Sequence, residues 1–88
     1  MNASSPQQLA ALEAQSTLLD TQGLYCPEPV MMLHGAIANV AIGGVVKVIA
    51  TDPSTQRDIP KFCDFLGHKL AASEATGSTY TFYIKRLN

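Results

Sequence analysis

Two cysteines offer most of the chemistry in this 88-residue chain. Cys26 stands in Gly23-Leu24-Tyr25-Cys26-Pro27-Glu28-Pro29-Val30, directly before two prolines spaced a residue apart, and the stretch that follows reads as a helix. With Cys26 at the N-cap, the helix begins Pro27, Glu28, Pro29, Val30. The first four N–H groups of a helix have no internal partner, so prolines at its first and third positions remove donors that would be orphans anyway. They also lock φ near the helical value. This arrangement predicts a stiff turn that holds the Cys26 sulfur at the positive end of a helix, with donors from Glu28 and Val30 still available to an anion. An ordinary thiol of pKa about 8.5 is only about 3% ionised at pH 7. The position predicts a modest gain in thiolate, opposed weakly by a Glu28 carboxylate that faces water.

What such a thiol lacks narrows its chemistry. It has no Cys-x-x-Cys partner, which disfavours dithiol redox work. A cysteine hydrolase needs a base oriented by a third group. His34 lies two turns further along, about 12 Å by helical rise, too far to reach the sulfur directly. His68 follows the end of a second helix, and nothing in the spacing places it near the thiol. A nucleophilic, accessible thiol without a base suits a carrier, which accepts a group from one partner and presents it to the next. The natural cargo of a thiolate is another sulfur, held as a persulfide. The competing reading is a redox-sensing or regulatory interaction module with a reactive thiol.

The remaining polar and sulfur residues read more plainly. Cys63 falls on the apolar stripe Ile59, Phe62, Cys63, Leu66 and reads as packing. The spacings of Cys26, Cys63, His34 and His68 match no zinc pattern, and neither a metal nor a cofactor is expected. Both histidines read as solvated surface groups. Met31 and Met32 follow the motif, and at least one should lie off the core stripe as an adaptable partner contact near the sulfur. Glu28 reads as a first-turn dipole residue that could also steer a partner. Arg57 and Asp58 read as capping and turn residues, and Tyr25 as a shield for the sulfur or a packing group.

Composition bounds the rest. At 47% hydrophobic and 15% charged residues, the chain is too apolar for disorder. A net charge of −1 provides no basic excess to grip phosphates, which disfavours direct nucleic-acid binding. No apolar run reaches membrane-spanning length, and the first residues have neither a basic region nor a continuous apolar one. The expectation is a cytoplasmic protein whose thiols stay reduced, without a Cys26–Cys63 disulfide.

The elements that must position Cys26 follow from periodicity. Residues 1–15 read as a flexible extension with one or two helical turns from Pro6, and 16–88 as one folded domain. Residues 16–22 suggest a strand broken by Gly23. Val30, Leu33, Ile37 and Val40 form one helical face. Residues 45–50 are nearly all β-branched, as in a central strand. A second helix follows, with Asp58 as cap, Pro60 in its first turn and Gly67 at its end. Residues 69–75 and 79–85 pair through the turn at 76–78. The second of these alternates Tyr80, Phe82, Ile84 on one face with Thr81, Tyr83, Lys85 on the other, the latter facing solvent or a partner. The order βαβαββ predicts an α+β, two-layer sandwich with two helices on one face of four strands.

Two segments together, LDTQGLYCPEPVMML and ATDPSTQRDIPKFCDFLGH, resemble the TusA-type, SirA/TusA-like sulfur carriers over about residues 17–86. These have a Cys-Pro-x-Pro motif at the start of the first helix, here Cys26-Pro27-Glu28-Pro29. They also have an Asp-Pro…Arg-Asp-Ile-Pro-x-Phe-Cys segment opening the second, here Asp52-Pro53 and Arg57 to Cys63. The resemblance implies a mixed four-stranded sheet under two helices. It also implies that Cys26 takes a persulfide sulfur from a cysteine desulfurase and passes it to a downstream sulfur-relay protein. The relay would end in 2-thiolation of the wobble uridine of certain tRNAs. Some relatives serve molybdenum cofactor synthesis or sulfur oxidation instead. Such a protein takes part in sulfurtransferase reactions without being a self-sufficient enzyme.

Overall fold

The computed structural model describes residues 6–88, with side chains from residue 10 onward. Its elements run α1 (Pro6–Gln15), β1 (Ser16–Thr21), α2 (Glu28–Asn39), β2 (Val45–Ala50), α3 (Thr55–Leu66), β3 (Lys69–Thr76) and β4 (Thr79–Lys85). The four strands form one sheet in the order β1-β2-β4-β3. β1 and β2 are parallel, joined through α2, while β4 runs antiparallel to both β2 and β3. The mixed sheet under two helices is therefore as expected.

Alternation along the strands divides the sheet into two faces. Val46, Val48 and Ala50 of β2 and Phe82 and Ile84 of β4 meet Leu33 and Ile37 of α2 and Ile59, Phe62 and Cys63 of α3 in the main core. Cys63 is free and buried on the apolar stripe, as its position suggested. α3 ends at Gly67, whose φ of 77° is the left-handed conformation that glycine adopts without a Cβ penalty. His68 closes this end, its N–H donating to the Cys63 carbonyl and its Nδ1 accepting from the Leu87 N–H.

The opposite face, read as facing solvent or a partner, is instead covered at Tyr83 by the chain itself. Tyr83 is 2% exposed and packs with Val45 and Ala72 beneath Leu12 of α1. Glu13 of the same helix accepts a hydrogen bond from the Lys47 ammonium at 2.8 Å. The segment expected as a loose extension thus contributes a ten-residue helix laid on the back of the sheet. Leu12 packed against this cluster and the Glu13–Lys47 ion pair are the contacts that join the helix to the sheet among the described side chains. Deleting residues 1–15 is expected to leave 16–88 folded, because the main core lies on the other face. The melting temperature should fall by several degrees, read by circular dichroism, as Tyr83 returns to water.

α3 starts earlier than expected. Ser54 is its N-cap and Thr55 its first residue, so Asp58 is the fourth helical residue and no cap, and Pro60 lies inside the helix. Asp52 sets this start: its backbone carbonyl accepts from the Thr55 N–H and hydroxyl, and its carboxylate from the Ser54 N–H. Pro60 leaves the Gln56 carbonyl without its helical donor. Burial of Ile59, Phe62 and Cys63 on either side of it holds the helix through that gap.

Candidate functional site

α2 likewise begins one residue later than Cys26 at an N-cap would require. The Glu28 N–H donates to the Tyr25 carbonyl at 2.9 Å and the Met31 N–H to the Pro27 carbonyl at 3.1 Å. Pro27 is the N-cap, and the prolines fall outside and at the second position of the helix. Cys26 therefore sits in the turn ahead of the helix, and the Cys26–Pro27 peptide is cis. The Glu28 donor is spent within the turn and does not reach the sulfur. Pro29 is buried and anchors the first turn of α2, while Cys26 is exposed.

The thiol opens onto a groove of about 440 Å³ between the two helices. Pro27, Val30 and His34 form one wall, and Asp58, Lys61, Phe62, Phe65 and Leu66 form the other. His34 shares the groove with the sulfur. Its ring meets Phe62 edge-on at 4.8 Å, and it makes no hydrogen bond to the thiol among the described residues. Phe65, 88% exposed, stands on the rim.

The charges beside the sulfur reverse the expected direction of its acidity. Hydrogen bonding toward the Asp58 carboxylate is the largest influence on the thiol. Partial desolvation and the negative charges of Asp58 and Asp52 act in the same direction, and only the Arg57 guanidinium opposes them. Together they hold the Cys26 thiol above its ordinary range, so the thiolate gain expected from the helix end is not realised. Two nearby carboxylates oppose the anion, while at the helix start Pro29 has no N–H and the Glu28 N–H is already bonded to the Tyr25 carbonyl. The Arg57 Nε donates to Asp58 at 3.0 Å. That bond and the one with Cys26 keep the Asp58 carboxyl below its usual value.

Asp52 stands in the second motif segment, but the sequence reading gave it no role at the site. It is 9% exposed, and its Oδ2 accepts from the Cys26 N–H at 2.7 Å. The Ser54 N–H and hydroxyl complete its bonds and, with the Cys26 N–H, keep its carboxyl below the usual carboxylate range. An aspartate at the exit of a β-branched strand, before proline, was the available signal. Phe65 was legible as an aromatic placed off the apolar stripe of its helix.

The other candidate residues scatter. Met31 and Met32 are 63% and 40% exposed, off the core stripe, but neither lines the groove that holds Cys26. Met32 instead borders a second apolar groove with Leu19, Ala36 and Val40, between α2 and β1. Glu28 faces water, and Tyr25 is exposed and does not cover the sulfur. No group of three or more His, Cys, Asp or Glu side chains that could hold a metal ion occurs among the described residues. None of the described helices is long and apolar enough to cross a membrane.

Comparison with known proteins agrees with this arrangement. The fold is similar to that of the SirA-like protein of Desulfitobacterium hafniense, with a TM-score of 0.70 and 23% identity over 81% of this chain and 97% of that one. The chain is 59% identical over 69 residues to the sulfur carrier protein TusA of Pseudomonas putida (strain W619), covering 78% of this chain and 86% of the relative. It is also 59% identical over 68 residues to the sulfur carrier protein TusA of Pseudomonas syringae pv. syringae (strain B728a), covering 77% and 81%. The family model described as sulfurtransferase TusA matches residues 17–86, which begin within β1 and end just past β4, and the chain belongs to the TusA family of sulfur carriers.

Proposed function

We propose that Cys26 is the sulfur-bearing residue, accepting a persulfide sulfur from a cysteine desulfurase and relaying it to a downstream protein. The observation that carries this reading is an exposed thiol at the mouth of a mainly apolar groove, with no histidine hydrogen-bonded to it among the described residues. In the step itself, the Cys26 thiolate attacks the outer sulfur of the donor's persulfide. A bond forms between Sγ and that sulfur, the donor's S–S bond breaks, and the donor leaves as a thiolate that takes the proton Cys26 gave up. One disulfide-type bond is exchanged for another, so no oxidant is needed. In delivery the acceptor's thiolate attacks the outer sulfur of the Cys26 persulfide, the Sγ–S bond breaks, and Cys26 leaves as a thiolate that takes the acceptor's proton.

The raised thiol pKa belongs to this role. A resting carrier that is mostly protonated reacts slowly with stray oxidants, whereas redox-sensor cysteines have low pKa values. This disfavours the sensor reading. Asp58 suits a donor that brings positive charge to the sulfur, since pairing with its carboxylate would remove the largest influence that keeps the thiol protonated. Pro27 lines the groove and Pro29 anchors the turn, while Glu28, Met31 and Met32 offer outer contacts to a partner. The endpoint we favour is 2-thiolation of the tRNA wobble uridine, reached through a protein acceptor, because a chain of net charge −1 lacks the basic surface to hold tRNA itself. Molybdenum cofactor synthesis and sulfur oxidation are the other pathways such a carrier could supply.

The test is incubation with a cysteine desulfurase and cysteine, followed by intact mass measurement. Wild-type protein is expected to gain one sulfur, lost on reduction, and Cys26→Ser to gain none, while Cys63→Ser loads normally. Sulfur uptake that persists in Cys26→Ser would remove the reading. In cells lacking their own carrier, thiolated wobble uridine should return with the wild-type chain and not with Cys26→Ser.

A further inference from the structure

We infer that Asp52 is a positioning residue for sulfur transfer: its buried carboxylate grips the Cys26 backbone N–H and so fixes the thiol-bearing turn against the wall formed by α3. The inference rests on the carrier reading above and goes beyond it by assigning a device that sets where the sulfur stands.

The groove has two walls on different helices, and Cys26 belongs to neither helix. The backbone bonds within its loop, Leu24 N–H to the Thr21 carbonyl and Glu28 N–H to the Tyr25 carbonyl, shape the turn but cannot set its place relative to α3. Pro27 and Pro29 have no N–H to contribute. Cys26 has the last donor before Pro27, and it goes to Asp52, 26 residues away in sequence, at 2.7 Å. A second bond, from the Gly23 N–H to the Thr51 hydroxyl at 2.9 Å, ties the start of the same loop to the same corner. The carboxylate is itself immobilised: Oδ1 accepts from the Ser54 N–H at 3.0 Å, and Oδ2 from the Ser54 hydroxyl at 2.9 Å. The residue that starts α3 is thus the residue that locates the thiol. A charged acceptor makes this bond stronger than a neutral one would be. Reactions between positioned groups are sensitive to displacements of about 1 Å, which can cost 10²-fold in rate.

A purely electrostatic role for Asp52 predicts the opposite result from a positioning role. Its negative charge discourages the thiolate. Asp52→Ala should therefore react somewhat faster than wild type with iodoacetamide at pH 7.5, while its rate of sulfur uptake at saturating desulfurase falls by on the order of 10-fold. Asp52→Asn loses the same charge but can still accept the Cys26 N–H, and should load within about threefold of wild type. A role in docking would raise the desulfurase concentration needed for half-saturation and leave the saturated rate intact, and that outcome overturns the proposal. So does equal loss in the Asn and Ala variants. Wild-type protein that takes up no sulfur overturns the carrier reading and with it any role in transfer. Wild-type protein that loads alongside an equally fast Asp52→Ala overturns only the role of Asp52. Hydrogen exchange in the wild type needs neither a donor nor a variant that folds. The Cys26 amide should be protected by about 100-fold or more, as befits an amide released only by local opening, and exchange at the rate of a free amide overturns the proposal outright.

Discussion

Native protein treated with iodoacetamide is expected to take a single adduct, at Cys26, with Cys63 modified at least about 10³-fold more slowly. Cys26 is exposed, whereas Cys63 is 2% exposed within the main core. Reaching Cys63 requires opening that core, and a domain's stability of roughly 5–15 kcal/mol sets the scale of that protection. In denaturant the two should react alike, and peptide mapping distinguishes them. Comparable labelling of both thiols in the native state would contradict the buried placement. The pH dependence carries a second expectation. The rate at Cys26 should climb with pH to a midpoint above that of an ordinary thiol, because Asp58 and Asp52 disfavour the anion. Asp58→Asn should move the midpoint down and Arg57→Gln should move it up. Burial, with a smaller contribution from Asp64, pushes the Cys63 thiol up to about 11. A thiol whose folded pKa lies above its unfolded value of about 8.5 contributes stability that is complete below that value. That contribution is lost as pH rises toward 11, and the displaced Cys26 acts in the same direction. The melting temperature should therefore decline across this alkaline window, and less so in Cys63→Ala if that variant is measured against its own value at pH 7.

Leu33→Ala and Phe65→Ala should separate stability from function. Leu33 has no exposed surface and sits where α2 meets the sheet and α3. Removing three carbons there costs about 3 kcal/mol, toward the lower end of the range for buried leucines. In a domain of this size that lowers the melting temperature by on the order of 15 °C. Phe65 is 88% exposed, so its loss should change stability by less than about 0.5 kcal/mol. An aromatic standing on the rim beside the thiol is nonetheless the kind of side chain that dominates an interface. With Phe65→Ala, the desulfurase concentration for half-maximal loading should rise by about 10-fold. Loading that is unaffected in Phe65→Ala would show that the donor approaches Cys26 from another side. A Leu33→Ala variant as stable as wild type would contradict the packing described here.

The two kinds of residue also mark what could be read from the chain alone. The stripe of Leu33 and Ile37, the β-branched run of β2 and the alternation of β4 reflect local periods of 3.6 and 2, and burial follows from them directly. The Cys26-Pro27-Glu28-Pro29 segment singled out the exposed one of the two thiols, because cysteine before two prolines makes a poor core residue. The acidity of that thiol could not be read the same way. The helix-end argument considered only neighbours in sequence, whereas Asp52 and Asp58 come from a loop and helix 26 and more residues away.

Amino-acid order by itself therefore determined which elements form, which faces they bury and which sulfur is set apart from the core, since each depends on side chains within a turn or two of one another. Tertiary structure alone decided that α1 covers Tyr83, that α3 begins at Thr55 and keeps Pro60 inside, and that two carboxylates oppose the Cys26 anion. Those outcomes depend on which distant groups come within hydrogen-bonding and Coulomb range once the β1–α2 and β2–α3 loops meet at one corner of the sheet. The Cys26 N–H, bonded to Asp52 across that corner, is where the two levels join.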